Sequence, residues 1–192
     1  MEPGDTAPVA VADSHITVAE NRTTVSNTFN LLANDSDVDG DVLRVTQATH
    51  GSKGTAIQAA ETAVAGKYGT FYVSPNGSYY YRVDPTLAAT NAIATGQTAE
   101  DNLTYRISDG RGGTASAVVT VKINGLNDAP TAVADTASVV KTVSGNGNLL
   151  TNDLDPDTGD VLSVLSASAS GDGAERDHRR NHYCRQLRIA DP

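Results

Sequence analysis

Apolar and polar residues alternate in two runs between Leu103 and Ile123, on either side of a polar turn, and a period of two marks a strand with one wet face. In "NLTYRIS", Leu103, Tyr105 and Ile107 fall on one side. After the turn "DGRGG", Asp109 to Gly113, the run "TASAVVTVKIN" places Ala115, Ala117, Val119, Val121 and Ile123 on one side. The two runs predict an antiparallel pair with one buried face. Upstream, "GTFYVSPNGSYYYRVD" reads as a hairpin around Pro75-Asn76-Gly77. Tyr79, Tyr81 and Val83 share one of its faces, Tyr80 and Arg82 the other. "HITVAE" and "DVLRVTQAT" add strands with weaker signals. The one helix expected is short, in "DPTLAATNAIATG", with Asp84 as N-cap and Pro85 at the first helical position. Roughly seven or eight strands in all predict an all-β fold, an Ig-like antiparallel β-sandwich.

The pattern then recurs. "APVAVADSHITV" from Ala7 returns as "APTAVADTASVV" from Ala129, 122 residues later. "NLLANDSDVDGDVLRV" from Asn30 returns as "NLLTNDLDPDTGDVLSV" from Asn148, 118 residues later, with one residue added near Thr158. A unit of this length is a whole β-domain rather than one turn of a solenoid, so the chain reads as a tandem array. The first unit is expected over residues 6–127 and a truncated second over 128–173. "INGLNDAPTA", Ile123 to Ala132, reads as a short linker between them. Residues 174–192 differ in kind: they hold five of the ten arginines, two of the four histidines and the sole cysteine, Cys184. Asp-His, Asn-His, His-Tyr and Tyr-Cys all read as Thr or Ile one nucleotide later. The hypothesis is a frameshifted, unstructured tail; a coding sequence whose shifted frame lost the repeat would refute it.

Charge narrows the partners. Against 14 Lys and Arg stand 23 Asp and Glu, a net −9 over 192 residues. Nucleic acid and anionic membrane surfaces call for a basic face and are excluded. One cysteine permits no internal disulfide, and no apolar run of about 20 residues is present to insert into a membrane. "MEPGDTAP" lacks the basic and apolar regions of a signal peptide, so any export signal is expected elsewhere. His15 and His50 stand alone and no catalytic motif accompanies them, which points away from an enzyme. The Tyr79–Tyr81 run reads first as half core and half surface, and second as a sugar-stacking platform.

Cations are the natural partners, and the candidate chemistry is acidic. "NDSDVDGDVL" sets Asp35, Asp37, Asp39 and Asp41 at every second position around Gly40. Alternate carboxylates followed by Gly match the first half of a calcium loop, because calcium takes six to eight hard oxygens and Gly permits the bend that gathers them. The motif is incomplete: its bidentate Glu would fall at Thr46. The remaining oxygens must come from elsewhere, and Glu20, Asp109 and the Asn127-Asp128 pair are the candidates. The competing reading is a solvated acidic turn. The second copy keeps Asp153, Asp155, Asp157 and Asp160 with altered spacing.

"GKYGTFYVSPNGSYYYRVD", "LTYRISDGRGGTASAVVTVKINGLNDAP" and "NLLANDSDVDGDVL" together resemble the VCBS repeat and the cadherin-like tandem repeats of large secreted bacterial adhesins. The resemblance spans nearly all of residues 6–173. It implies an Ig- or cadherin-like sandwich in tandem and type I secretion of RTX-type proteins to the cell surface. It also implies calcium, neighbouring repeats as partners, and roles in cell adhesion and biofilm. The expected function is thus a non-enzymatic, calcium-binding adhesive repeat that contacts a cell-surface protein or glycan. The alternatives are a carbohydrate-binding accessory module of a secreted hydrolase and a passive spacer.

Overall fold

The structure is a computed structural model that describes residues 4–22, 28–58, 61–136, 146–166 and 188–189. The chain divides after Leu126 into two compact units. In the first, the strands are β1 (Asp13–Ala19), β2 (Phe29–Asn30), β3 (Arg44–His50), β4 (Lys53–Ala56), β5 (Thr62–Ala65), β6 (Gly69–Val73), β7 (Ser78–Val83), β8 (Thr98–Ser108) and β9 (Thr114–Asn124). They form one sheet in the order β1-β9-β8-β3-β4 and another in the order β2-β7-β6-β5.

The alternating runs build the core as read. β8 and β9 pair antiparallel along their whole length, from Thr98 opposite Asn124 to Ser108 opposite Thr114. β6 and β7 form the expected hairpin. Tyr79, Tyr81 and Val83 are buried while Arg82 is exposed. Inward residues of both sheets meet in one apolar cluster that includes Phe71, Tyr81, Leu103, Tyr105, Ile107, Val119, Val121 and Ile123. Phe71 and Tyr81 meet edge to face at 4.6 Å, a favoured aromatic geometry.

Two local expectations need correction. The helix is a single turn, α1 (Ala88–Asn91), with Leu87 at its N-cap and no side-chain cap. Asp84 instead closes a turn: its Oδ1 accepts from the Thr86 N–H and hydroxyl at 2.9 and 2.6 Å. That local turn competes with helix initiation and wins. The linker also starts later than its composition indicated. Ile123 is fully buried in β9, which runs on to Asn124.

In the second unit the leading segment and the acidic loop meet through a bridge between Thr131 and Leu154. This repeats the bridge of Val9 with Ser36 in the first. β10 (Val164–Ser166) pairs antiparallel with β11 (Arg188–Ile189), where an unstructured tail was expected. The rest of 174–192, Cys184 included, lies outside the described residues.

Candidate metal centre

Strand β8 presents Asp101, Leu103, Tyr105 and Ile107 on its inward face, and Asp109 follows in the same phase. The two aspartates, 1% and 6% exposed, lie at opposite ends of this row and are treated differently. Asp101 Oδ2 accepts from the Lys67 and Tyr68 N–H groups at 2.8 and 3.1 Å and from the Tyr81 hydroxyl at 2.6 Å. Its Oδ1 lies 2.9 Å from His50 Nε2. Asp101 is therefore satisfied within the fold, and His50 is its partner.

Asp109 is not satisfied. Its Oδ1 accepts from the Arg111 and Gly113 N–H groups at 2.7 and 3.0 Å, while Oδ2 is buried with no hydrogen-bond partner. The turn winds so closely around this carboxylate that a Cβ on Gly113 would collide with Asp109 Oδ2 and come within 2.9 Å of the Ala7 Cα. A buried unpartnered polar oxygen costs about 1–3 kcal/mol, and a charged one more. Such a group needs a proton or a cation.

More carboxylates converge there. Asp37 Oδ1 accepts from the Asp39 N–H at 2.8 Å, leaving a buried, unpartnered Oδ2. Asp39 Oδ2 accepts from the Thr6 N–H at 2.8 Å, which draws the leading segment onto the acidic loop. That contact brings Asp5, a residue the sequence reading missed, into the field of the group. Both Asp5 carboxylate oxygens are buried without partners. Desolvation, and then the charges of Asp109, Asp41, Asp39 and Asp37, hold its carboxyl above the ordinary value of 3.8. The signal available was the repeat itself, since Asp5 stands 122 residues before Asn127.

The loop inverts the usual apolar-in pattern. Val38 and Val42 are 79% and 73% exposed while Asp37 and Asp41 turn partly inward. Ordinary folding buries valine and solvates aspartate. Here the backbone is held the other way, with Gly40 at φ 77° turning the loop.

Other predicted candidates lie elsewhere. Asp35 faces inward: its Oδ1 accepts from the Val11 N–H at 2.7 Å and lies 3.3 Å from the Tyr105 hydroxyl. Desolvation raises its carboxyl against the lowering effect of those two donors. Glu20 is buried and its Oε1 accepts from the Leu126 N–H, beside the last residue of β9. Asp109 precedes the first residue of β9, so 11 residues, about 35 Å of strand, separate the two positions. Glu20 therefore does not complete the shell of the first acidic loop. β9 runs on from the Asp109 turn to Asn124, and the Asp128 N–H finds its acceptor, Asp157, within the second unit. Asp128 serves its own unit.

The second unit rebuilds the same scaffold. The Asp128 N–H donates to Asp157 Oδ2 at 2.7 Å, as Thr6 does to Asp39. The Val133 N–H donates to Asp153 Oδ1 at 2.8 Å, as Val11 does to Asp35. The Asp157 N–H donates to Asp155 Oδ1 at 2.9 Å, as Asp39 does to Asp37. One oxygen from each of Asp155, Asp157 and Asp160 lies within 4.8 Å of the others. Asp157 is 3% exposed and its Oδ1 is unpartnered.

Both groups offer only oxygens, several of them charged and buried without donors. Such a set fits a hard divalent cation and suits softer metals poorly.

Residues 5–125 match the model of the bacterial cadherin-like domain, and residues 127–181 match that of a bacterial Ig domain. The calcium-binding lectin RapA2 of Rhizobium johnstonii is 38% identical over 136 residues, covering 69% of this chain. The chain spans 56% of that relative's length. A protocadherin gammaB7 EC3-6 structure aligns at a TM-score of 0.37 and 19% identity, over 96% of this chain and 44% of its own. With a match across nearly the whole first unit, the chain belongs to the bacterial cadherin-like domain family.

Proposed function

We propose that the chain is a non-enzymatic, calcium-binding adhesion repeat of a bacterial surface protein. In this reading it is a VCBS-like module of an exported adhesin that serves attachment and biofilm. Each unit binds calcium where its leading segment meets its acidic loop. Asp5, Asp37, Asp39, Asp41 and Asp109 form the first group; Asp155, Asp157 and Asp160, with Asp128 adjoining, form the second. The observation that carries the reading is that Asp109 and Asp157 are each more than nine-tenths buried, and each holds an unpartnered oxygen amid further carboxylates. The family and the calcium-binding relative support it. Calcium would neutralise the acidic loop and fix the leading segment to it. The site residues then exclude water and hold the segment; the ion supplies charge alone.

Calorimetric titration of the full chain tests this. Two binding events are expected, with Kd on the order of 10⁻⁴ to 10⁻³ M as in extracellular modules. Asp109→Asn keeps the Oδ1 that accepts the turn's N–H groups, yet should weaken one event by about tenfold through the lost charge. Asp157→Asn should weaken the other. Absence of heat in the parent chain, or variants that bind like it, would remove the proposal.

A glycan-binding reading has one observation in its favour. Tyr72 and Tyr80 stack in parallel at 4.7 Å, both half-buried, and the Tyr80 hydroxyl donates to Glu61 Oε1 at 3.0 Å. The lectin relative is consistent with it. Loss of glycan-array binding on Tyr80→Ala would support this reading, and an array blank for the parent would end it.

A further inference from the structure

Arg111 occupies the tip of the turn that carries Asp109. Its backbone N–H donates to Asp109 Oδ1 at 2.7 Å, so the main chain of this residue is fixed to a carboxylate of the first acidic group. Its side chain crosses to the acidic loop, where Nε donates to Asp41 Oδ1 at 2.7 Å. The guanidinium is half exposed, the Asp41 carboxylate only 16%. One cation is thus paired with Asp41 and tied through its backbone to Asp109, two members of the first acidic group. A guanidinium stays charged at every accessible pH, so protonation does not switch this cation off.

We infer that Arg111 is a tethered counter-ion of the first acidic loop, which holds Asp41 in the ion-free chain and competes with calcium for it. The inference rests on the calcium reading of that site. Its logic is one of charge. Arg111 brings one positive charge to one carboxylate, whereas a divalent ion brings two to several oxygens at once. The ion therefore wins when present, and the half-exposed guanidinium re-enters water at small cost. Arg111 thus stabilises the ion-free state selectively and sets the calcium affinity lower than the carboxylates alone would give. It also limits repulsion within the loop when calcium is scarce. A merely decorative surface pair would stabilise both states alike and leave affinity unchanged.

The test compares the full-length parent with Arg111→Gln, a surface change that leaves the core intact. Arg106→Gln is the control. It removes the same charge from the outer face of β8, where Arg106 donates to the Thr114 hydroxyl at 3.0 Å and, among the described residues, pairs with no acidic-loop carboxylate. Calorimetric calcium titration of Arg111→Gln is expected to give binding about two- to five-fold tighter than the parent, the scale of one exposed ion pair. Its melting midpoint should fall in chelator and match the parent in saturating calcium. Arg106→Gln should leave the affinity near that of the parent. Unchanged or weaker binding by Arg111→Gln overturns the inference while the calcium reading stands. Equal tightening by both variants reduces the effect to net charge and also overturns it. A parent chain that binds no calcium removes the reading and this inference together.

Discussion

At the scale of the residue, the informative contrast is between two buried aspartates on one face of one strand. Asp101 is met by donors from Lys67, Tyr68, Tyr81 and His50; Asp109 is left with an oxygen that no described residue satisfies. Burial alone therefore does not mark a site; an unsatisfied charge does. The same logic makes the ion-free group sensitive to pH. Asp5 has a folded-state pKa above its ordinary 3.8 because of desolvation and four neighbouring carboxylates. Between 3.8 and that raised value the folded chain binds more protons than the unfolded one, so stability falls as pH rises through the window. At neutral pH the penalty is fully present. In chelator, Asp5→Asn is thus expected to melt above the parent at pH 7, with the difference shrinking as pH falls towards 4. Thermal melts over that range check the sign, and a gap that widened on acidification would contradict it.

At the scale of the element, legibility followed alternation. β6, β7, β8 and β9 were readable because each presents a clean period of two to a shared core. β2, β4 and β5 were not, since strands of two to four residues carry too few positions to show a period. The parallel pairing of β1 with β9 was also illegible, because it depends on a partner about a hundred residues away. All of the candidate site but Asp5 was visible from motif and turn. The repeated carboxylates named the loop, and the strand-ending turn named Asp109. Asp5 was hidden because only a long-range contact through Thr6 and Asp39 brings it in. Asp101 was hidden because its inward phase looked like any polar strand end. It bridges β7 and β8, which lie in different sheets, so Asp101→Ala should orphan four donors, two of them buried. A stability loss of about 3 kcal/mol or more is expected by denaturant melts. Calcium affinity at the first group should stay unchanged, since that group lies at the other end of β8.

At the scale of the whole molecule, two units build one device from residues 118 to 122 positions apart. In each, a leading segment is bound by backbone N–H groups to the carboxylates of an acidic loop. The opening segment of a unit is thereby fixed to its body by the residues that would hold the ion. On the proposed reading, a repeat built this way would stiffen where calcium is plentiful, and its carboxylates would repel where calcium is scarce. Any ligand that binds the folded state alone raises stability by mass action. The direct measurement is the thermal midpoint of the full chain in chelator and in about 10 mM calcium, where that Kd range predicts a rise of about 5–10 °C. An identical midpoint in the two solutions would contradict the central claim that these carboxylates bind calcium in the folded chain.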